Sequence, residues 1–197
     1  MKTSIKSLIA TGCIALAIST SAVYANGLSK IETVAASTIN VSAIKRIIIS
    51  GNVEVTISQA PKSKVLYTND GGTDVSVKKI GNALYVDAKS YVQGAKITVY
   101  IDDIYRIDAA GNAFVQTKDT LSLKYLQVYV KDNAKVDLNS KTENLYTSIK
   151  NASELNLKGS TDLYNIEMDK TARITLDKFN SKKTNMISSD VYVASRR

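Results

Sequence analysis

The chain of 197 residues carries 26 basic and 18 acidic residues and no histidine, a formal charge of +8. That length suits one domain with a sizeable core. A single cysteine and no histidine exclude a disulfide framework and leave no Cys/His cluster for zinc or copper.

In chain order, residues 1–25 read as a secretory signal peptide. Lys2 and Lys6 open it, a mostly apolar run from Leu8 to Ile18 follows, and Val23 and Ala25 occupy the positions a signal peptidase reads. The run is too short for a stable membrane span, so the mature chain is expected to have none. The stretch from Ala10 to Cys13 loosely resembles a lipoprotein box, but the apolar run continues past the cysteine. Lipid anchoring through Cys13 is therefore disfavoured. Cleavage after Ala25 leaves 24 basic against 18 acidic residues, a formal +6 without a long basic run. The interspersed acids, together with export, argue against nucleic acid as a partner. Residues 26–41 are expected to form an N-terminal lead or cap.

From Ser42 onward, Val, Ile, Tyr and Thr dominate and apolar and polar residues largely alternate, as in "VEVTI", "VSVKKI", "ALYVDA" and "KITVYI". This is the period of half-buried strands, so the chain is expected to be all-β. A unit also recurs. Ile49, Ile80, Ala109, Val130, Ile149, Met168 and Ile187 each precede a polar corner, at steps of 31, 29, 21, 19, 19 and 19. Six residues later stand Val55, Val86, Val115, Val136, Leu155, Ile174 and Val193. The corners are Gly51-Asn52, Gly111-Asn112, Asp132-Asn133, Asn151-Ala152, Lys170-Thr171 and Ser189-Asp190. Most of these residues tolerate a positive φ or bond the nearby backbone. Lys170-Thr171 is the weakest.

A period near 20 signals a solenoid, and without the fixed leucines of a leucine-rich repeat a parallel β-helix with coils of about 19–21 residues fits best. The longer N-terminal steps are expected to contain hairpin excursions, with a turn at Thr68–Asp74. Two outward columns follow from this register. One is Thr56, Gln116, Asp137, Asn156 and Thr175; the other is Phe114, Lys135, Glu154, Arg173 and Tyr192.

The stretches "AIKRIIISGNVEVTISQAPKSKVLYTND", "VKKIGNALYVDAK" and "ITVYIDDIYRIDAAGNAFV", with the tandem units after them, resemble the bacterial "putative auto-transporter adhesin, head GIN domain" family. The resemblance implies a right-handed single-stranded β-helix over residues 42–197, in a secreted or envelope-exposed protein of the periplasm or cell surface. Most repeat glycines of that pattern are replaced here by Asp, Asn, Ala, Lys or Ser. A translocator barrel is not expected, so the chain does not read as a self-sufficient autotransporter.

The expected function is a non-catalytic binding or scaffolding module of the envelope, without cofactor or metal. Its partners would be polysaccharide, lipopolysaccharide or host glycan, and the chain would be monomeric or associate end to end. Outward Tyr129, Tyr146 and Tyr192 can stack on sugar rings, and Lys135 and Arg173 can face anionic groups. A carbohydrate-active enzyme is an alternative, because lyases and hydrolases use clustered acids on adjacent coils. Asp102, Asp103, Asp108, Asp132 and Asp137 are its candidates. A periplasmic structural or assembly factor is the third reading.

Overall fold

The alternating pattern is realised as extended backbone. The computed structural model describes residues 36–41, 43–68, 75–89 and 96–188, and among these there are strands and no helix. The N-terminal half holds β1 (Ala36–Asn40), β2 (Arg46–Gly51), β3 (Glu54–Gln59), β4 (Lys64–Thr68), β5 (Val75–Ile80), β6 (Ala83–Ala88) and β7 (Lys96–Ile101). After them come β8 (Arg106–Ala109), β9 (Phe114–Thr117), β10 (Leu121–Val130), β11 (Lys135–Ile149), β12 (Glu154–Met168) and β13 (Arg173–Ser188). Together they make one open, curled sheet of 13 strands.

The curl arises because the long strands each serve two rows. Lys135–Asp137 of β11 pair in parallel with β9, while Ser140–Ile149 of the same strand pair with β10. β12 pairs along β11 at a constant offset, Lys135 with Glu154 and Ile149 with Met168, and β13 pairs along β12. The first row therefore runs β7-β3-β9 into the N-terminal parts of β11, β12 and β13. The second runs β6-β2-β8-β10 into their C-terminal parts.

Both outward columns expected from the sequence form in the first row. Thr56, Gln116, Asp137, Asn156 and Thr175 pair in succession, as do Phe114, Lys135, Glu154 and Arg173. Tyr192, Val193 and the corner at Ser189-Asp190 lie outside the described residues, as do residues 1–25. Inward columns are mostly β-branched and buried. Ile47, Ile107 and Val128 form one, Ile49, Ala109, Val130 and Ile149 its neighbour. Each buried Val, Ile or Leu contributes about 1.5–3 kcal/mol. Toward β12 the interior turns partly polar, and its hydroxyls pair with one another: Thr142 with Thr161 at 2.8 Å and Thr147 with Tyr164 at 2.9 Å.

The corners use left-handed backbone. Gly51, Gly111, Asp132 and Asn151 have φ of 84°, 72°, 64° and 64°. Asp132 accepts the Gly111 N–H at 3.2 Å and the Asn151 side-chain amide at 3.3 Å. At Lys170-Thr171, where turn chemistry is weakest, Asp169 supplies the missing acceptor. It takes the N–H groups of Thr171 at 3.0 Å, Ala172 at 2.9 Å and Asn151 at 2.6 Å.

Several N-terminal expectations are corrected. Ile80 begins no unit: it pairs with Ala83 across the antiparallel β5–β6 hairpin and is exposed. Ile49 pairs with Val86 instead, and Val55 with Ile97. The hairpin turn is Gly81-Asn82, whereas the strands flanking Thr68–Asp74 do not pair, since β4 lies antiparallel to β1 and β7. Nor does chain order match stacking order here, because β2 and β3 lie between β6/β7 and β8/β9. Ile187 is displaced by one residue. An irregularity at Asn156/Lys158 sets Met168 opposite Ser188 and Ile187 opposite Glu167.

Candidate ligand-binding face

Strand alternation places every second side chain of the second row on its outer face. Two adjacent columns result. Arg46, Arg106, Gln127, Tyr146, Asn165 and Asn185 make one. Ile48, Asp108, Tyr129, Ser148, Glu167 and Ile187 make the other, with exposed Tyr85 beyond Ile48. At ~4.8 Å per strand the first column spans ~24 Å.

The side chains form a connected chain of contacts. Asp108 accepts the Arg46 Nε–H at 2.8 Å, and it accepts Arg106 through Nε at 2.9 Å and Nη2 at 2.7 Å. The Arg106 guanidinium lies over the Tyr129 ring, 3.8 Å from its centroid. Tyr129 meets Tyr146 with centroids 5.6 Å apart and planes tilted by 50°. The Tyr146 hydroxyl donates to Glu167 at 2.7 Å, and Lys150 reaches the other Glu167 oxygen at 3.0 Å.

These contacts fix the protonation states. Burial opposes ionisation of Asp108, but the hydrogen bonds of Arg106 and Arg46 outweigh it and hold the carboxyl below its ordinary range. The hydrogen bond from Tyr146, then that from Lys150, lowers Glu167. Burial, followed by the Glu167 hydrogen bond, pushes the Tyr146 hydroxyl up to about 12. At neutral pH the Asp108 and Glu167 carboxyls are thus held ionised and the Tyr146 phenol neutral. Such a surface can hold a ligand by stacking and hydrogen bonding.

Of the sequence-predicted site residues, Tyr129 and Tyr146 come together here. Lys135 and Arg173 lie in the first row on either side of Glu154, with Lys135 and Glu154 3.4 Å apart. They line a shallow recess of about 320 Å³ with Asn133, Ala152 and Thr171. The candidate acids are dispersed. Asp102 and Asp103 follow the end of β7, both exposed, with Asp103 2.6 Å from Lys45. Asp132 sits at a corner, and Asp137 accepts from Asn156 at 2.6 Å.

Sequence reasoning missed Arg46, Arg106, Lys150 and Glu167 as members of the face. "YRIDA" did carry a local signal, because Arg106 and Asp108 two residues apart on a strand share one side. No local signal could have supplied Arg46. Among the described residues no cluster of three or more His, Cys, Asp or Glu side chains could hold a metal, and no helix is long and apolar enough to cross a membrane.

Residues 43–189 match the family described as "Putative auto-transporter adhesin, head GIN domain". No curated protein matches the sequence significantly. Among solved structures, a putative adhesin from Bacteroides fragilis superposes with a TM-score of 0.70 at 14% identity, over 82% of this chain and 79% of that one. A "putative lipid binding protein" from Parabacteroides distasonis gives 0.59 at 13% identity, over 78% of each chain. A putative adhesin from Parabacteroides merdae gives 0.53 at 17%, over 78% and 77%. At these identities the likeness is one of fold.

Proposed function

Because the chain belongs to the family of auto-transporter adhesin head GIN domains, we propose that it is an exported, non-catalytic binding module of the bacterial envelope, working in the periplasm or at the cell surface. In this reading the curled sheet is a right-handed single-stranded parallel β-helix. The constant offset of 19 residues between β11 and β12 supports it.

One observation carries the functional reading: the stack of Arg106, Tyr129 and Tyr146 on a flat outer face with a polar side chain at nearly every step. Strands repeating at ~4.8 Å place these groups at intervals close to the length of a sugar residue. The face therefore suits a glycan chain laid across the strands, and the saccharide part of lipopolysaccharide is one source. A neighbour of the same fold named for lipid binding is compatible with that source.

The geometry disfavours glycoside hydrolysis on this face. Asp108 and Glu167 stand three strands apart in one column, ~14 Å. Paired hydrolase carboxylates need about 5–9.5 Å.

End-to-end association gains nothing from charge. β13 carries Lys178, Lys182 and Lys183 against one acid, Asp177, and β5 carries Lys78 and Lys79, so positive charge predominates on both of these terminal strands. A monomer in sedimentation velocity is expected.

Affinity electrophoresis of the full chain in gels cast with envelope polysaccharide tests the binding. The wild type should be retarded, and Tyr129→Ala should lose roughly 1 kcal/mol or more of aromatic contact. Equal mobility of the two with and without polysaccharide would overturn the reading. Protease protection in intact cells, lost once the outer membrane is opened, separates periplasm from surface.

A further inference from the structure

Arg46 and Arg106 stand directly opposite one another on neighbouring strands. Like charges so placed cost stability, and one carboxylate, Asp108, answers both. The residues flanking this pair in the column are Ala83 and Gln127, neither charged. A ladder built for stability alone needs one arginine there, whereas two leave a net positive charge that the fold does not use.

That charge is held in place. The side chains of Arg46, Arg106 and Asp108 are 33%, 26% and 18% exposed, open to solvent yet largely packed. Asp108 fixes both guanidiniums through their Nε atoms, and the Tyr129 ring supports Arg106 at 3.8 Å. Arg46 commits only its Nε–H, and Arg106 its Nε–H and an Nη2–H. The rest of the five N–H donors that each guanidinium carries have no partner among the described residues. Little rotamer entropy is left to lose on binding, which is the condition under which a charged contact becomes net favourable.

We propose that Arg46 and Arg106 form an oxyanion subsite for an acidic saccharide, whose carboxylate engages the two guanidinium groups while its sugar ring lies against the Arg106–Tyr129 stack. This rests on the glycan-face reading and makes it specific. A planar guanidinium presents paired N–H donors that match a carboxylate. Gln127, exposed between Arg106 and Tyr146, offers amide contacts to the next sugar in the chain. Toward the other end of the face, Glu167 of the neighbouring column is already neutralised by Lys150, so the face is polarised and the acidic group belongs at the arginine end.

Isothermal titration calorimetry on the full chain tests this with trigalacturonate, its methyl ester and inorganic phosphate. Hydrogen bonds to a charged group should favour the acid over the ester by roughly tenfold or more. Arg46→Gln should lower the acid-to-ester affinity ratio several-fold, and Arg46→Lys should restore only part of it. Equal affinity of acid and ester in the wild type overturns the subsite and leaves the glycan face standing. Phosphate binding as tightly as trigalacturonate overturns the saccharide assignment in favour of a plain anion site. No binding of any probe overturns both. The acid-to-ester ratio is read on the wild type, so it decides the matter even if a variant fails to fold.

Discussion

Replacing Gly159 by alanine tests how closely β11 and β12 approach. Gly159 faces Ser140 on one side and Phe179 on the other, with φ of +97°. A Cβ at this position would lie 2.1 Å from the Ser140 carbonyl oxygen and 2.9 Å from its carbon, main-chain atoms that cannot rotate aside. Alanine loses about 1–2 kcal/mol for left-handed backbone. Forcing the ladder open adds about 1–3 kcal/mol, the usual cost of overpacking. A total near 3 kcal/mol lowers Tm by ~6–12 °C in a chain of this size. Gly81→Ala is the control, since its φ is +60° but nothing lies within 4 Å of the added carbon. It should lose only the backbone part. Thermal unfolding followed by circular dichroism compares the two, and equal losses would refute the close-approach argument.

Leu155 is fully buried and its neighbour Glu154 faces outward beside Lys135. Leu155→Asp should abolish cooperative unfolding, while Glu154→Ser should change stability by no more than ~1 kcal/mol in urea titration. The Ser140 hydroxyl is buried without a partner among the described residues, so Ser140→Ala should be neutral or stabilise by about 1 kcal/mol in urea titration. The N–H of Asn151, with those of Thr171 and Ala172, lowers the Asp169 carboxyl. Its contribution is thus present above the unfolded-state value and lost as pH falls through the folded one, so Asp169→Asn should flatten the acid side of the stability profile. Tyr146 and Tyr164 are pushed up to about 12, mainly by burial. Their contribution holds below the ordinary tyrosine value near ~10 and is lost as pH climbs through 12. Spectrophotometric titration should show both ionising late, one fewer in Tyr146→Phe.

The C-terminal half was legible because consecutive repeats are consecutive in space. Val136, Leu155 and Ile174 could be aligned by counting, and they pair as counted. Counting failed wherever the chain left that order. Ile80 has the right neighbours, Gly81-Asn82, but there the pair closes an antiparallel hairpin. Local turn chemistry is the same in both settings, and only the partner strand distinguishes them. The displacement of Ile187 has a similar origin, since an irregularity opposite Asn156/Lys158 leaves no mark in an alternating sequence. Of the candidate site, Tyr129 and Tyr146 were visible through the repeat. Arg46 was not, because its link to Asp108 crosses 62 residues.

That distance has a consequence for how the face is made. β8 receives β10 on one side by a short local step and β2 on the other by a long return. The tyrosine part of the face needs only β10 and β11, which are consecutive, whereas the arginine part needs β2 inserted between β6 and β8. Non-local pairing carries the loop-closure cost early and forms slowly. The stacked repeats therefore form first, with Tyr129 against Tyr146, and the Arg46–Asp108 contact closes afterwards. Amide hydrogen exchange during refolding would see this as protection of Val128 and Thr147 before Ile47 and Ile49. Simultaneous protection would mean that the sheet forms as one unit, and the arginines would then be as integral to folding as the repeat itself.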